Sequence, residues 1–483
     1  MGVESGYCDK AITHFMKIVH ATPEPFPAAS ALRLNELIAA LSHALDITEG
    51  QPEGHCIRCC WIGMHVGREL RLSDDEMWDL YYTLLLKDLG CSSNAARICE
   101  LYMTDDLHFK RDFKTVGDSL PSVLHFVLKH TGLKAGLAER FRGVLTILRD
   151  GPAIAQSLIA TRCQRGADIA RLLRFSEAVA NGIYSLDEHY NGQGKPDKLA
   201  GDAIPMFSRI ALLAQVVDVF VVADGRVAAL KEVQRRAGSW FDPALVAAFE
   251  AVATSDDFWT TYGSPGLTDA VHALEPSSRE VALDEDYLDD IAIAFGQVVD
   301  SKSPYTSGHS ERVALYTDMI AETMGLSPER RRWLKRGALL HDVGKLGVSN
   351  SVLDKAGKLD IEEWAEVKLH AGYTETILGR INAFAELAKV AAAHHERLDG
   401  GGYPRGLSGD EISLETRIIT CADIFDAITA ERPYRAAIPI PKTLEIMAET
   451  VGTAIDADCF EALKRAIDKL SHDATAPLQQ VCA

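Results

Sequence analysis

Side chains that could bind metal ions recur through the second half of this 483-residue chain. Imidazole and carboxylate groups stand at seven positions: His309, His341, Asp342, His370, His394, His395 and Asp423. Ligands of these two kinds, in this number, can hold two first-row metals such as iron or manganese, with one carboxylate bridging them. Two such cations activate a water molecule and stabilise a phosphoryl transition state. A lone histidine is usually a core or surface residue, whereas a set of seven favours metal-dependent chemistry.

The first half of the chain repeats this sequence pattern. GHCIRCC around His55 corresponds to GHSERVA around His309 at an offset of 254. LDEHYNGQGKP at 186–196 corresponds to HHERLDGGGYP at 394–404 at an offset of 208. The change of offset implies 46 extra residues in the first copy. We therefore predict two copies of one helical module, the first with an insertion at about 95–150.

The first copy lacks most of the candidate ligands. The seven ligand positions are occupied there by His55, Lys87, Asp88, Arg162, Leu186, Asp187 and Gln215. Because this copy keeps the turn and packing residues, the ligands of the second copy are not required for packing. The cations of Lys87 and Arg162 would repel a metal ion. We expect the first copy to hold no metal centre and to act as a regulatory or dimerising partner, with an inert role as the alternative.

Two motifs of the second half resemble those of a known family. HDVGK at 341–345 resembles the HDxGK motif of HD-domain metal-dependent phosphohydrolases, and HHERLDGGGYP resembles the motif that names their HD-GYP subfamily. The resemblance extends through SPYTSGHSERV, KLDIEEWAEVKLH, LSGDEISLETRI and ADIFDAITAERPYR, over about 286 to 445. It implies a bacterial cyclic di-GMP phosphodiesterase. It also implies that the seven residues above are the metal ligands, with Asp342 as the bridging catalytic carboxylate.

The resemblance implies further roles in catalysis and substrate binding. Lys345 would aim its ammonium at a phosphate oxygen, with a solvated surface lysine as the alternative. The glycines at 400–402 permit a tight backbone excursion that would bring Tyr403 to the substrate, unless the turn is purely structural. Arg432 and Arg435 would contact phosphate or guanine, or else pair with surface carboxylates.

Two positions depart from the family pattern. Val348-Ser349-Asn350 replaces the Pro-Asp that commonly follows the HDxGK segment, which affects the expected fit of the substrate. Tyr305 stands where some relatives have a glutamate that binds a third metal, and a phenol of pKa about 10 stays protonated. We therefore expect two divalent ions, iron or manganese.

Three functions are compatible with these motifs. The first is hydrolysis of cyclic di-GMP to linear pGpG, with further hydrolysis to GMP left open. The second is hydrolysis of another cyclic dinucleotide such as cyclic GMP-AMP, because no sequence feature distinguishes the bases. The third is a non-catalytic effector, whose GYP surface binds either the nucleotide or a protein partner such as a GGDEF-type cyclase. The complete ligand set favours an enzyme.

The elements that must position these residues are predicted to be helices. Ser327-Pro328-Glu329 predicts the start of a helix that leads to His341, and Asp360 with Glu363 forms a capping-box pattern. Alternating strand patterns are scarce. We predict an all-α protein of two HD-type modules in tandem: a first module (1–225), a helical connector (226–285) and a second module (286–483).

Net charge and apolar patterning indicate where in the cell the protein lies and which classes of partner it does not bind. A formal net charge of -19 argues against nucleic-acid polymers and anionic membranes. The N-terminus shows no secretion signal, and Gln215 and Asp218 interrupt the longest apolar run, so we expect a cytoplasmic protein. Its ten cysteines are then expected to be reduced thiols. A homodimer remains open.

Overall fold

The protein is built from α-helices. The computed structural model describes residues 33–114, 120–132, 137–279, 281–431 and 436–475, and in these ranges there is no β-strand, only isolated bridges. The predicted all-α class is therefore confirmed. The helices of the first module and connector are α1 Leu34–Thr48, α2 His55–Glu69, α3 Asp74–Leu86, α4 Ala95–Tyr102, α5 Asp106–Phe113, α6 Leu120–His130, α7 Leu137–Leu172, α8 Glu177–Tyr184, α9 Met206–Asp224, α10 Arg226–Arg236, α11 Pro243–Ala253, α12 Asp256–Tyr262 and α13 Leu267–His272.

The second half of the chain is also helical. Its helices are α14 Glu285–Asp300, α15 His309–Thr323, α16 Pro328–Leu340, α17 Asn350–Leu353, α18 Ile361–Gly379, α19 Ala385–Ala392, α20 Leu414–Thr429, α21 Ile440–Ala448 and α22 Ala457–Thr475. Short 3-10 turns lie at Cys91–Asn94 and Gly201–Ala203 in the first module and at Val343–Gly347, Asn382–Phe384 and Gly409–Glu411 in the second.

Helix starts follow the local capping signals. The Ser327 side chain accepts from the Arg330 amide, with Pro328 in the first turn of α16. Asp360 and Glu363 form a reciprocal capping box at the start of α18, as predicted. These caps satisfy amides that have no partner inside the helix, so they fix where each helix begins.

Element boundaries recur along the chain at the offsets seen in the sequence. Helices α2 and α3 correspond to α15 and α16 at 254, and α8 corresponds to α19 at 208. The isolated bridge Asn191 to Ala200 recurs as Asp399 to Ser408. Helices α10 and α11, within the predicted connector, begin 214 residues before α21 and α22. The recurrence supports the predicted repeat and carries it past residue 225.

One long apolar helix is largely buried in the first module. Helix α9 is long and apolar enough to cross a membrane by length and composition alone, but 67% of that window is buried by the rest of the protein. Such burial is typical of a core helix. The eight cysteines among the described residues are free.

Candidate metal centre

Five segments of the second module bring the predicted ligands together. His309 is the first residue of α15, and His341 and Asp342 lie between α16 and the turn Val343–Gly347. His370 lies in α18 and Asp423 in α20, while His394 and His395 follow α19. All seven residues named from the sequence lie at this centre.

A glycine lets two of these segments approach. A Cβ atom on Gly344 would lie 1.9 Å from the backbone oxygen of His370, a distance that atoms cannot adopt. The Gly344 amide also donates to the Thr374 hydroxyl at 3.0 Å. Helix α18 therefore packs directly against the turn that follows Asp342.

The Asp342 carboxylate faces histidines on both of its oxygens. Its Oδ2 lies 3.3 Å from Nε2 of both His309 and His341. Its Oδ1 lies 3.6 Å from Nε2 of both His370 and His394. Asp342 thus faces two histidines with each of its oxygens, an arrangement that would let its carboxylate contribute to two cations.

The two remaining residues each join one of these groups. Asp423 Oδ1 lies 3.4 Å from His309 Nε2 and 3.8 Å from His341 Nε2. A ligand atom of His395 lies within 4.8 Å of ligand atoms of His370 and His394. Asp423 thus lies with His309 and His341, and His395 lies with His370 and His394, while ligand atoms of His341, His394 and Asp423 also lie within 4.8 Å of one another.

Hydrogen bonds orient the imidazoles with Nε2 toward the centre. Nδ1 of His309 donates to Asp426 Oδ2 at 2.7 Å, and Nδ1 of His341 and His394 donate to backbone oxygens at 2.6 and 2.7 Å. Partners of this kind are typical of metal-ligating histidines. The Nε2 atoms of His309 and His341 and the Oδ1 atom of Asp342 are buried without a hydrogen-bond partner. The donor set therefore fits divalent cations.

Electrostatics also favours cations here. Burial lowers the pKa of His370 to about 4 and that of His394 to about 3, so both imidazoles keep a free lone pair at neutral pH. Burial also lowers the pKa of His309, but the nearby carboxylates of Asp342 and Asp426 outweigh it and raise that pKa to about 9. Surroundings that stabilise a proton on this imidazole also stabilise a metal cation.

Two of the residues predicted to act on the substrate, Lys345 and Tyr403, lie beside candidate ligands. Lys345 Nζ lies 2.5 Å from Asp342 Oδ2, and the Tyr403 ring centroid lies 4.8 Å from that of His395. A cavity of about 730 Å³ opens beside Lys345, and its lining includes Tyr305 and Trp364. Arg432 and Arg435 lie outside the described residues.

The corresponding position in the first module contains a lysine ammonium. Lys87 Nζ donates to His55 Nε2 at 3.0 Å and also to the carboxylate of Asp88. Burial disfavours this charge, but Asp88 more than compensates and raises the pKa of Lys87 well above its usual range. Arg162, the counterpart of His370, pairs with Asp187. Two protein cations therefore stand where the second module offers imidazoles.

Sequence reasoning missed two residues that support the centre. Asp426 accepts from His309 and also from Arg312 Nε at 2.6 Å. The first module has the same arrangement, in which Asp218 binds His55 and Arg58, each at 2.6 Å. Asp218 and Asp426 are 208 residues apart and Arg58 and Arg312 are 254 residues apart, which are the offsets of the sequence repeat. This identity between the two copies is the signal that could have revealed Asp426 and Arg312.

Comparison with known proteins identifies the family. The HD domain family model matches residues 154–245 and 294–459. The chain belongs to this family, and its motifs place it among the HD-GYP proteins. It is 58% identical over 448 residues to 3'3'-cGAMP-specific phosphodiesterase 3 of Vibrio cholerae, which covers 93% of this chain and 97% of that protein.

Two further relatives bear on the function. The chain is 40% identical over 180 residues to the cyclic di-GMP phosphodiesterase response regulator RpfG of Xanthomonas campestris, which covers 37% of this chain and 45% of that protein. A crystal structure of a cyclic GMP-AMP specific phosphodiesterase of V. cholerae, V-cGAP3, matches with a TM-score of 0.62 and 53% identity. It covers 90% of this chain and 97% of that one.

Proposed function

We propose that this protein is a metal-dependent phosphodiesterase that hydrolyses 3'3'-cGAMP. The observation that carries the proposal is 58% identity, along nearly the whole length of both chains, to a relative named for that substrate. Cyclic di-GMP, the substrate implied by the motifs, is supported by more distant matches such as RpfG over 37% of the chain. The alternative substrate from the sequence therefore becomes the main proposal.

Divalent metal dependence follows from the HD family. We propose two ions, one held by His309, His341 and Asp423 and the other by the remaining three histidines, with Asp342 shared between them. When bound, such a pair activates water and neutralises charge on the phosphoryl oxygens. The division of ligands between the two oxygens of Asp342 supports this count.

The protein's own groups would orient the substrate and stabilise its charge. In the proposed hydrolysis the bond from one phosphorus to a 3'-oxygen breaks, the hydroxyl of a water molecule joins that phosphorus and a proton joins the leaving 3'-oxygen, so a linear dinucleotide results. The Lys345 ammonium, on the turn after Asp342, would neutralise a phosphoryl oxygen as charge develops. Tyr403, Arg432 and Arg435 remain the proposed substrate contacts.

For the first module we propose a degenerate copy without metal and with a regulatory role. The ammonium of Lys87 lies within hydrogen-bond reach of His55 and Asp88, which supports the absence of a metal at that place. The module also contacts the second directly, for example through the hydroxyls of Ser92 and Ser301 at 2.7 Å.

Turnover by metal-reconstituted protein tests the function. The full chain, loaded with Mn²⁺ or Fe²⁺, is incubated with 3'3'-cGAMP, cyclic di-GMP and cyclic di-AMP, and the products are separated by chromatography. We expect kcat/KM for 3'3'-cGAMP to exceed that for cyclic di-GMP by about tenfold or more, a difference of about 1.4 kcal/mol. Equal or reversed preference would refute the substrate. No turnover of any dinucleotide would favour the nucleotide-binding effector.

A further inference from the structure

Asp106 lies in the predicted insertion of the first module but binds the second module. It is the first residue of α5 and is completely buried. Its Oδ1 accepts the backbone amide of Asn350 at 2.9 Å and the hydroxyl of Ser349 at 3.2 Å. Asn350 begins the short helix α17, three residues after the turn Val343–Gly347. The first module therefore supplies an acceptor at the start of this helix, in addition to the Ser349 hydroxyl, which accepts from the Ser351 amide.

The same carboxylate lies between two buried ammonium groups. Its Oδ2 is 3.7 Å from Nζ of Lys110 and 3.8 Å from Nζ of Lys302. Lys110 belongs to the first module, where it donates to the backbone oxygens of Thr48 and Cys91. Lys302 belongs to the second module and is 2% exposed. A buried ammonium is stable only with a nearby anion, so Asp106 stabilises a charge from each module.

Lys302 connects this carboxylate to the turn that carries Lys345. Its Nζ donates at 2.8 Å to the backbone oxygen of Leu346, the residue that follows Lys345. The Asn350 side chain closes the network, since its Nδ2 donates to the backbone oxygen of Lys302 at 2.8 Å. The end of the turn is thus hydrogen-bonded to an ammonium that lies 3.8 Å from Asp106, and the backbone of Lys302 is bonded to Asn350, whose backbone amide donates to Asp106.

The packing at the turn leaves little room for movement. A Cβ atom on Gly347 would lie 3.0 Å from Cγ2 of Ile47, a residue of α1 in the first module. It would also lie 2.8 Å from the Tyr373 ring in α18. The two modules therefore enclose the turn between them, and the charged network at Asp106 is one side of that enclosure.

We propose that Asp106 is a positioning residue, which holds the turn Val343–Gly347 so that Lys345 reaches the phosphate of the substrate. Through this contact the first module would set the rate of hydrolysis in the second module. The inference rests on the proposed phosphodiesterase function. Displacement of a reacting or charge-stabilising group by about 1 Å costs on the order of 100-fold in rate. Because Lys345 would act on charge that develops in the transition state, its displacement lowers kcat more than it raises KM.

Three variants of the full chain test the proposal. Asp106→Ala removes the hydrogen bonds and the charge, whereas Asp106→Asn keeps an acceptor for the Asn350 amide and remains available if the alanine variant does not fold. Asp112→Asn is the matched control, because Asp112 lies on the same helix but binds His130 within the insertion at 3.1 Å. Rates are measured with 3'3'-cGAMP and with bis(p-nitrophenyl) phosphate, a generic phosphodiester.

We expect Asp106→Ala to lower kcat by about 10- to 100-fold with KM within about twofold of wild type. Asp106→Asn should fall between the alanine variant and wild type, and Asp112→Asn should match wild type. Metal content should not change. In a Lys345→Ala background, Asp106→Ala should cause no further loss, because both changes remove the same interaction.

A second measurement needs no substrate. Hydrogen exchange of the amides at 343–353 should be faster in Asp106→Ala than in wild type and unchanged in Asp112→Asn. Any one of four results would overturn the proposal. These are wild-type kcat in both Asp106 variants, losses that add to that of Lys345→Ala, reduced metal content, and unchanged hydrogen exchange. A wild-type protein inactive on both phosphodiesters would instead refute the proposed function, while the exchange experiment still decides whether Asp106 holds the turn.

Discussion

Removal of the negative charge of Asp426, which accepts a hydrogen bond from His309, should weaken metal binding in the second module. Asp426 is 1% exposed, and its carboxylate accepts from His309 Nδ1 at 2.7 Å. Asp426→Asn keeps the shape and an acceptor oxygen but loses the negative charge. Hydrogen bonds to charged groups contribute about 1.5–3 kcal/mol, against about 1 kcal/mol for neutral pairs. The difference of about 0.5–2 kcal/mol corresponds to a metal affinity about 2- to 30-fold lower. Because loss of such a partner of a ligating histidine typically costs about 10- to 100-fold in metal affinity, we expect a decrease of about 10- to 30-fold.

The chain offers a matched control for this change. Asp218 makes the same contacts with His55 and Arg58 in the first module, where Lys87 occupies the centre. Asp218→Asn is chemically identical and should leave metal affinity within about twofold of wild type. Both affinities are measured by competition with a fluorescent chelator for Mn²⁺. Unchanged affinity in Asp426→Asn, or equal loss in both variants, would refute the reasoning.

Three further predictions follow from the two centres. Replacement of His341 or Asp342 by alanine should abolish hydrolysis while circular dichroism shows the helical fold retained, and near-wild-type turnover in either variant would contradict the assignment. Metal analysis of active protein should find two ions per chain, both lost when His341 and Asp342 are replaced; a third ion would show that another residue supplies a ligand. Lys87→Ala removes the ammonium that pairs with the buried Asp88 carboxylate, so the free energy of unfolding in urea should fall by about 3–5 kcal/mol. Metal content should not change, and an unchanged unfolding midpoint would contradict the prediction.

Local sequence signals determined the helices and the candidate ligands. Capping residues such as Ser327 and Asp360 act within one turn of helix, so their effect could be predicted from neighbouring residues and is seen at the starts of α16 and α18. The seven candidate ligands were found because the two halves of the sequence could be aligned and the motifs of the second half resemble those of a known family. The all-α class followed from the same local patterns.

Contacts between distant segments were decided by the tertiary structure. The division of the histidines between the two oxygens of Asp342 depends on how five segments pack, and spacing along the chain carries no information about which atom faces which. The sequence predicted that Lys87 would repel a metal, but only packing places its ammonium 3.0 Å from His55 Nε2.

The first copy's insertion could be located in the sequence, since its length appears as a change of offset. Its role could not, because the bond between Asp106 and Asn350 joins residues 244 positions apart. A buried carboxylate and a backbone amide leave no periodic pattern. The sequence by itself therefore determined the helices, the family motifs and the candidate ligands, whose signals are local. The arrangement of the centre and its connection to the first module were decided by side-chain packing between segments far apart in the chain.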